Sequence, residues 1–406
     1  MENFETYLLI LGLLLAAGSL LSGLAHRSIL SLAILFLVAG IILGDQVTGV
    51  LELDATSELV KRVTEVTLIL ILFVDGMEVE AGMLRRSWHV PLRSLLIAMP
   101  LTAGLIAAAG VTLLALSWKQ ALLLGALLSP TDPVLTSSVI TNTKIPLRVR
   151  HSLNLESGFN DGLALPAVLI FATALGGAGT AEAWWRFLAR DLLTGASVGV
   201  AGALIAVWLL RPFRGRLEII PHYRSLYAFG VALTLYGAAR YLGGNGFIAV
   251  FLGGIVIASQ MRGQTATFER FSRDASEVFK AATFVIFGSL LAAGSLAADG
   301  FRGLALALFV LFVARTAALL PSLWGTRLDW PERLFMAWFG PKGVACIAYA
   351  LLVLGMDLPG GEEIFNLAAL VVFGSIILHG ATDTPLADWF GNRAASEAAA
   401  RRSKSG

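Results

Sequence analysis

The chain has 406 residues, 57% of them hydrophobic and 14% charged, with a mean hydropathy of +0.78. A soluble domain averages about 25% charged residues, so the composition leaves a polytopic membrane protein and no soluble class. The net charge of +2 is too small to argue for a nucleic-acid partner, and a single cysteine, Cys346, allows no intrachain disulfide.

Crossing the hydrocarbon takes about 20 apolar residues. Thirteen segments qualify, at about 6–25, 28–44, 63–77, 90–116, 120–141, 149–176, 187–210, 223–241, 244–260, 274–293, 301–321, 332–354 and 363–381. The first, MENFETYLLILGLLLAAG, carries Glu2 and Glu5 but no basic stretch, so it reads as a retained span and not a signal peptide. Segment three ends in LFVDGMEVE, where Asp75, with Glu78 and Glu80, reads as an interfacial cap, a funnel role being the alternative. Segment five, ALLLGALLSPTDPVLTSSVITNT, flanks Thr131 and Asp132 with Pro130 and Pro133. Segment six contains LNLESGFNDGLAL, segment eleven LFVLFVARTAALLPS, and segment twelve LFMAWFGPKGVACIAYALL. The closing stretch RAASEAAARRSKSG, in a tail at 391–406, reads as a short disordered cytoplasmic end with no long regulatory extension.

Basic residues orient the chain. Loops on one side hold Arg27, Arg85, Arg86, Lys144, Arg148, Arg150, Arg211, Arg214, Arg216, Arg262, Arg270, Arg273, Arg327 and Arg333, and the tail adds Arg393, Arg401, Arg402 and Lys404. The opposite loops hold Lys61, Arg62, Lys119, Arg186, Arg190 and Arg302, with acidic Asp45, Glu52, Asp54, Glu58, Glu362 and Glu363. A count of 18 against 6 predicts the N-terminus outside and the C-terminus in the cytoplasm, which an odd number of spans requires. Loops of about a dozen residues leave no soluble domain, so residues 1–390 read as one transmembrane unit.

Segments five and twelve read as broken. Each proline removes a backbone donor and disfavours helix before it, so SPTD leaves helical geometry in mid-membrane. Gly340, Pro341, Lys342 and Gly343 do the same in segment twelve. Irregular backbone at that depth survives only where it lines a cavity or is buried in protein. The two breaks are seven spans apart and so run in opposite directions, the pattern of inverted repeats whose interrupted helices cross near the midplane. Both breaks carry a charge, which a packing kink does not need.

Segment six supplies the acids. Ser157 and Asp161 share one helix face, and Glu156 and Asn160 form a second pair beside it. A carboxylate at the bilayer centre costs about 2.5–3.5 kcal/mol, so each needs a partner. Arg315 and Lys342 are the basic residues placed centrally in late spans, whereas Lys280 and Arg240 lie nearer segment ends. A Glu156–Arg315 pair would neutralise one acid and leave Asp132 and Asp161 to share a cation, a proton or a half-helix end.

The succession SPTDP, then ESxxND (Glu156, Ser157, Asn160, Asp161), then the basic residue of FVAR, then GPKG resembles the sodium/proton exchangers. More narrowly, it is similar to the Asn-Asp, electroneutral branch of the monovalent cation/proton antiporter superfamily. The resemblance implies an all-α fold of about 13 transmembrane helices, with inverted repeats and two broken crossing helices. It implies a core bundle around 90–176 and 301–381 and dimerisation or scaffold helices around 1–77 and 187–260. Asp161 would carry cation or proton, and Asp132, Ser157 and the Thr131 carbonyl would complete the cation shell. Asn160 and Thr131 would hold the crossing in shape, and Glu156 would pair with Arg315. Lys342 stands where the family often has Arg, and could be structural or could titrate.

The implied activity is secondary antiport of Na⁺, with Li⁺, for H⁺ across the cell membrane, serving pH homeostasis, by alternating access of a homodimer in the bilayer. No cofactor or enzymatic step is implied, the ions being substrates. Asn160 cannot titrate, which agrees with one ion for one proton. K⁺/H⁺ antiport is the alternative. An intramembrane aspartyl protease is the rival from another class, since FVDG and FNDG are two Asp-Gly pairs, yet it explains neither TDP nor GPKG. The histidines His26, His89, His151, His222 and His379 fall at cytoplasmic segment ends and read as interfacial residues, pH sensing being the alternative. The small-residue runs at 176–179 and 252–254 read as close helix packing or turns.

Overall fold

A computed structural model describes residues 2–25, 32–78, 88–132, 135, 137–177, 185, 188–210, 220–261, 265–291 and 293–405. Pro133, Glu80, His26, Arg27, Arg85, Arg86, Arg186, Arg211, Arg214, Arg216, Arg262 and the second half of the 176–179 run lie outside them.

A chain in hydrocarbon must satisfy its own backbone groups, which makes each apolar segment a helix. The first four are α1 (Glu2–Ala25), α2 (Leu32–Leu43), α3 (Glu58–Glu78) and α4 (His89–Leu114). The broken fifth span is α5 (Trp118–Leu128) with α6 (Ser137–Thr141), and α7 (Leu147–Leu175) follows. Next come α8 (Ala189–Leu209), α9 (Pro221–Tyr241), α10 (Gly246–Gln260), α11 (Thr265–Leu290) and α12 (Gly300–Ser322). The broken twelfth span is α13 (Trp330–Trp338) with α14 (Val344–Leu354), and α15 (Gly361–Ser405) closes the chain. Helices thus stand at all thirteen predicted segments, and no β-strand forms among the described residues.

Inverted repetition is visible in the packing. Spans seven apart are equivalent, so the α2–α11 contact should recur as α10–α3, and both pairs are in close contact. Each is made at a pair of glycines. Gly40 and Gly288 approach so closely that a Cβ on either would run into backbone oxygen of the other helix. A Cβ on Gly76 would sit 2.5 Å from the Phe251 carbonyl oxygen, and one on Gly254 2.6 Å from that of Phe73. Small residues let backbones approach where lipid gives no hydrophobic drive. Two further features repeat: the equivalent spans α4 and α12 each contain a π-helical turn, at Ser94–Ala98 and Phe309–Ala314. The first half-helix of each broken span opens with a capping box, Ser117/Gln120 and Asp329/Glu332. Half-helices this short are marginal alone, and the box satisfies their first N–H groups.

The tail departs from expectation. It is helical through Ser405, continuous with the last span, because alanine dominates its composition and favours helix.

Gly76→Val forces backbone apart at the α3–α10 contact. Overpacking of this kind costs about 1–3 kcal/mol, and a lowered melting temperature in detergent checks it, with Gly104→Val as the control at an open position.

Candidate functional site

The two breaks touch through their backbones: the Asp132 N–H donates to the Pro341 carbonyl at 2.9 Å. Each half-helix end there is a pole of a helix dipole. The carbonyl end of α5 points at the crossing, and the Lys342 ammonium donates to Ser129 O at 3.3 Å and Pro130 O at 3.0 Å. The amide end of α14 points at the same place, and the Val344 N–H donates to Asp132 Oδ2 at 2.7 Å. Each broken span therefore supplies the charge that neutralises the other. Lys342 is 2% exposed and holds this position through its own N–H, which donates to Ser375 Oγ at 2.7 Å. Both glycines of GPKG are needed for the approach. A Cβ on Gly343 would land on the Asp132 carboxylate, and one on Gly340 on the Arg315 guanidinium.

The acids of α7 lie against this crossing, and Glu156, Ser157, Asn160 and Asp161 are all buried. Arg315 donates to Glu156 Oε1 at 2.6 Å and to Met336 O at 3.2 Å. The π-helical turn ending at Ala314 directly precedes it; such wide turns re-aim the side chain that follows. Asn160 Nδ2 donates to both oxygens of Thr131, at 3.1 Å to the carbonyl and 2.6 Å to Oγ1. Asn160 thereby ties α7 to the first break. Ser157 sits one turn before Asp161 on the same face. The Asp161 backbone is held separately, its carbonyl accepting the Tyr349 hydroxyl at 2.7 Å. Pro166, five residues on, lacks the N–H that would have met Gly162 O.

Two residues were misjudged from sequence. Asp75 is more than an interfacial cap: α3 continues past it to Glu78, its Oδ2 is buried, and its carboxyl is close enough to that of Asp161 for the two charges to act on each other. Lys280, on α11, bonds Glu277 at 3.0 Å and is close enough to act electrostatically on Asp75 and Asp132. The weak signal was an Asp-Gly at the end of a span, where helix length alone could not say how deep Asp75 sits. His379 is likewise not interfacial. It is 2% exposed and bonded to the backbone of the twelfth span.

Around the crossing, Asp161 Oδ1, Asp75 Oδ2, Asn160 Oδ1 and Glu156 Oε2 are buried and meet no donor among the described residues. Buried polar atoms are nearly always paired. Four orphaned acceptors stand there against one unpaired donor, Arg315 Nε, an excess of acceptors suited to a proton or a hard cation.

The profile described as "Sodium/hydrogen exchanger, transmembrane" matches residues 12–389. The chain belongs to that family. Among related sequences, the exchanger is 28% identical to the K(+)/H(+) antiporter NhaP2 of Shewanella oneidensis over 95% of this chain and 67% of that one. It is also 28% identical to the Na(+)/H(+) antiporter 2 of Zygosaccharomyces rouxii over 73% of this chain and 39% of that one. The fold is similar to that of the sodium proton antiporter MjNhaP1 from Methanocaldococcus jannaschii, with a TM-score of 0.81 at 22% identity, covering 97% and 98% of the two chains. The exchanger is thus an integral, multi-pass membrane protein and not an enzyme.

Glu156→Gln leaves Arg315 buried without its carboxylate. Breaking a buried pair this way costs about 3–5 kcal/mol, so the variant's melting temperature in detergent falls; an unchanged value would mean that the pair contributes nothing.

Proposed function

We propose that Asp161 is the carrier through which this exchanger moves a monovalent cation against a proton, Na⁺ being the cation, with Li⁺ able to replace it. The observation that carries this reading is the Asp161 carboxyl itself: buried, near enough to Asp75 to interact with it electrostatically, and lacking a donor at Oδ1. A carboxylate at that depth is stable only when neutralised. A proton and a cation both neutralise it and exclude each other, and that competition is antiport. Neighbouring oxygens suit the cation: Asp132, the Ser157 hydroxyl, the Thr131 carbonyl and, added by the fold, Asp75. The other polar groups have support roles. Asn160 pins Thr131, Arg315 neutralises Glu156, and Lys342 neutralises the end of α5 and so is structural and not a carrier.

The return of the empty site is blocked by the same desolvation cost, which makes exchange obligatory. With Glu156 paired and Asn160 unable to titrate, one ion exchanges for one proton. Access alternates as the bundle around 90–176 and 301–381 moves against helices around 1–77 and 187–260, which also form the homodimer. The basic bias of the loops supports an outside N-terminus and a cytoplasmic C-terminus in the cell membrane, where the exchange serves pH homeostasis. A K⁺/H⁺ exchange is the second reading, because relatives aligned over 95% of this chain bear that name.

Asp161→Asn abolishes cation-driven proton flux in proteoliposomes while retaining a monodisperse, folded protein. Fluorescence dequenching with Na⁺, Li⁺ and K⁺ salts measures it, and normal exchange in the variant refutes the assignment. The salt giving the lowest apparent KM identifies the cation. In the same vesicles, a potential imposed with a lipophilic ion leaves the rate unchanged if exchange is one for one; a rate that follows the potential excludes that stoichiometry.

A further inference from the structure

Breaking a span leaves free backbone groups at its inner ends, and lipid offers them no partner. At α6 these include the Ser138 N–H; at α13 the Trp338 carbonyl takes the Gly340 N–H at 2.8 Å and has a second lone pair to place. One helix meets both. Asp383, on α15, accepts the Ser138 N–H at 3.1 Å through Oδ2. The Ser138 and Thr384 hydroxyls are 2.9 Å apart. Four residues earlier, His379 Nε2 lies 3.1 Å from Trp338 O, and the Trp338 indole donates to Thr382 Oγ1 at 3.2 Å. A carbonyl can only accept, so the tautomer protonated at Nε2 donates to Trp338 O, and the one protonated at Nδ1 donates to the Ser375 carbonyl 3.1 Å away. Nδ1 also lies 3.2 Å from Ser375 Oγ, the atom that accepts the Lys342 N–H.

Residues 375, 379, 382 and 383 form one stripe along α15. A single face of the last helix thus holds the inner end of each broken span and the backbone of GPKG. Asp383 is 7% exposed, and its Oδ1 meets no donor among the described residues. Such an oxygen is an expense that an apolar side chain at 383 would avoid. We propose that Asp383 and His379 are positioning residues for exchange: neither bonds Asp161, and both act by fixing the half-helix ends that present Thr131, Asp132 and Lys342 to the ion site.

The inference rests on the crossing being that site, so Asp161→Asn is assayed beside the new variants. Asp383→Ala and His379→Ala are reconstituted and apparent KM for Na⁺ and K⁺ and maximal rate are measured separately, with folding followed by size exclusion. Loosening a site by a fraction of an ångström raises KM about tenfold while leaving most of the maximal rate. Asp383→Asn keeps an acceptor for Ser138, and His379→Gln keeps a donor for Trp338, so both restore KM to within about twofold of the parent. Monodisperse alanine variants with the parental KM overturn the proposal, as do Asn and Gln variants no better than alanine. Where Asp383→Ala gives no folded protein, Asp383→Glu carries the test: a raised KM supports the clamp and a parental KM overturns it. An inactive Asp161→Asn beside alanine variants of parental KM means that the ion site stands and the clamp falls. An active Asp161→Asn overturns both.

Discussion

Two half-helix ends of opposite polarity meet inside the membrane, and each is neutralised by a charged side chain of the other broken span. Asp132 receives the amide end of α14, and the Lys342 ammonium receives the carbonyl end of α5. Neither span could be broken alone, because its free backbone groups would face hydrocarbon at a cost of several kcal/mol each. The arrangement accounts for the composition of GPKG. Proline ends the helix, lysine supplies the counter-charge, and the two glycines leave room for Asp132 and Arg315.

The crossing also decides what each neighbouring acid is free to do. Glu156 is committed to Arg315 and Asn160 to Thr131, so the polar residues of α7 divide into those that hold the crossing and those that do not. Asp161 belongs to the second group. Its backbone is held by Tyr349, while its carboxyl interacts electrostatically with a second carboxyl from α3.

Repetition supports this centre. The glycine contacts Gly40–Gly288 and Gly76–Gly254 bring two equivalent helix pairs to van der Waals distance, and the second sets α3 at the depth where Asp75 reaches Asp161. Capping boxes start both outer half-helices, and π-helical turns interrupt both equivalent long spans. The last helix crosses the repeat boundary, meeting one half-helix from each repeat on a single face.

Span number, the two interruptions and the candidate acids were legible in the sequence, because each is a local property: apolar length, proline and glycine, charge where charge is costly. The pairing motif of α7 was legible too, since residues four apart share a helix face. What lay beyond it was depth and partner. Asp75 read as a cap and His379 as interfacial because a residue near the end of an apolar run has no depth until the helix is tilted and packed. The tail read as disordered because its polarity said nothing of its continuity with a packed helix. That Asp132 serves α14, that Lys342 serves α5, and that α15 grips the fifth span are contacts across more than 200 residues of chain. Only tertiary structure decided them, since dipole ends acquire partners through three-dimensional proximity, which no spacing along the chain encodes.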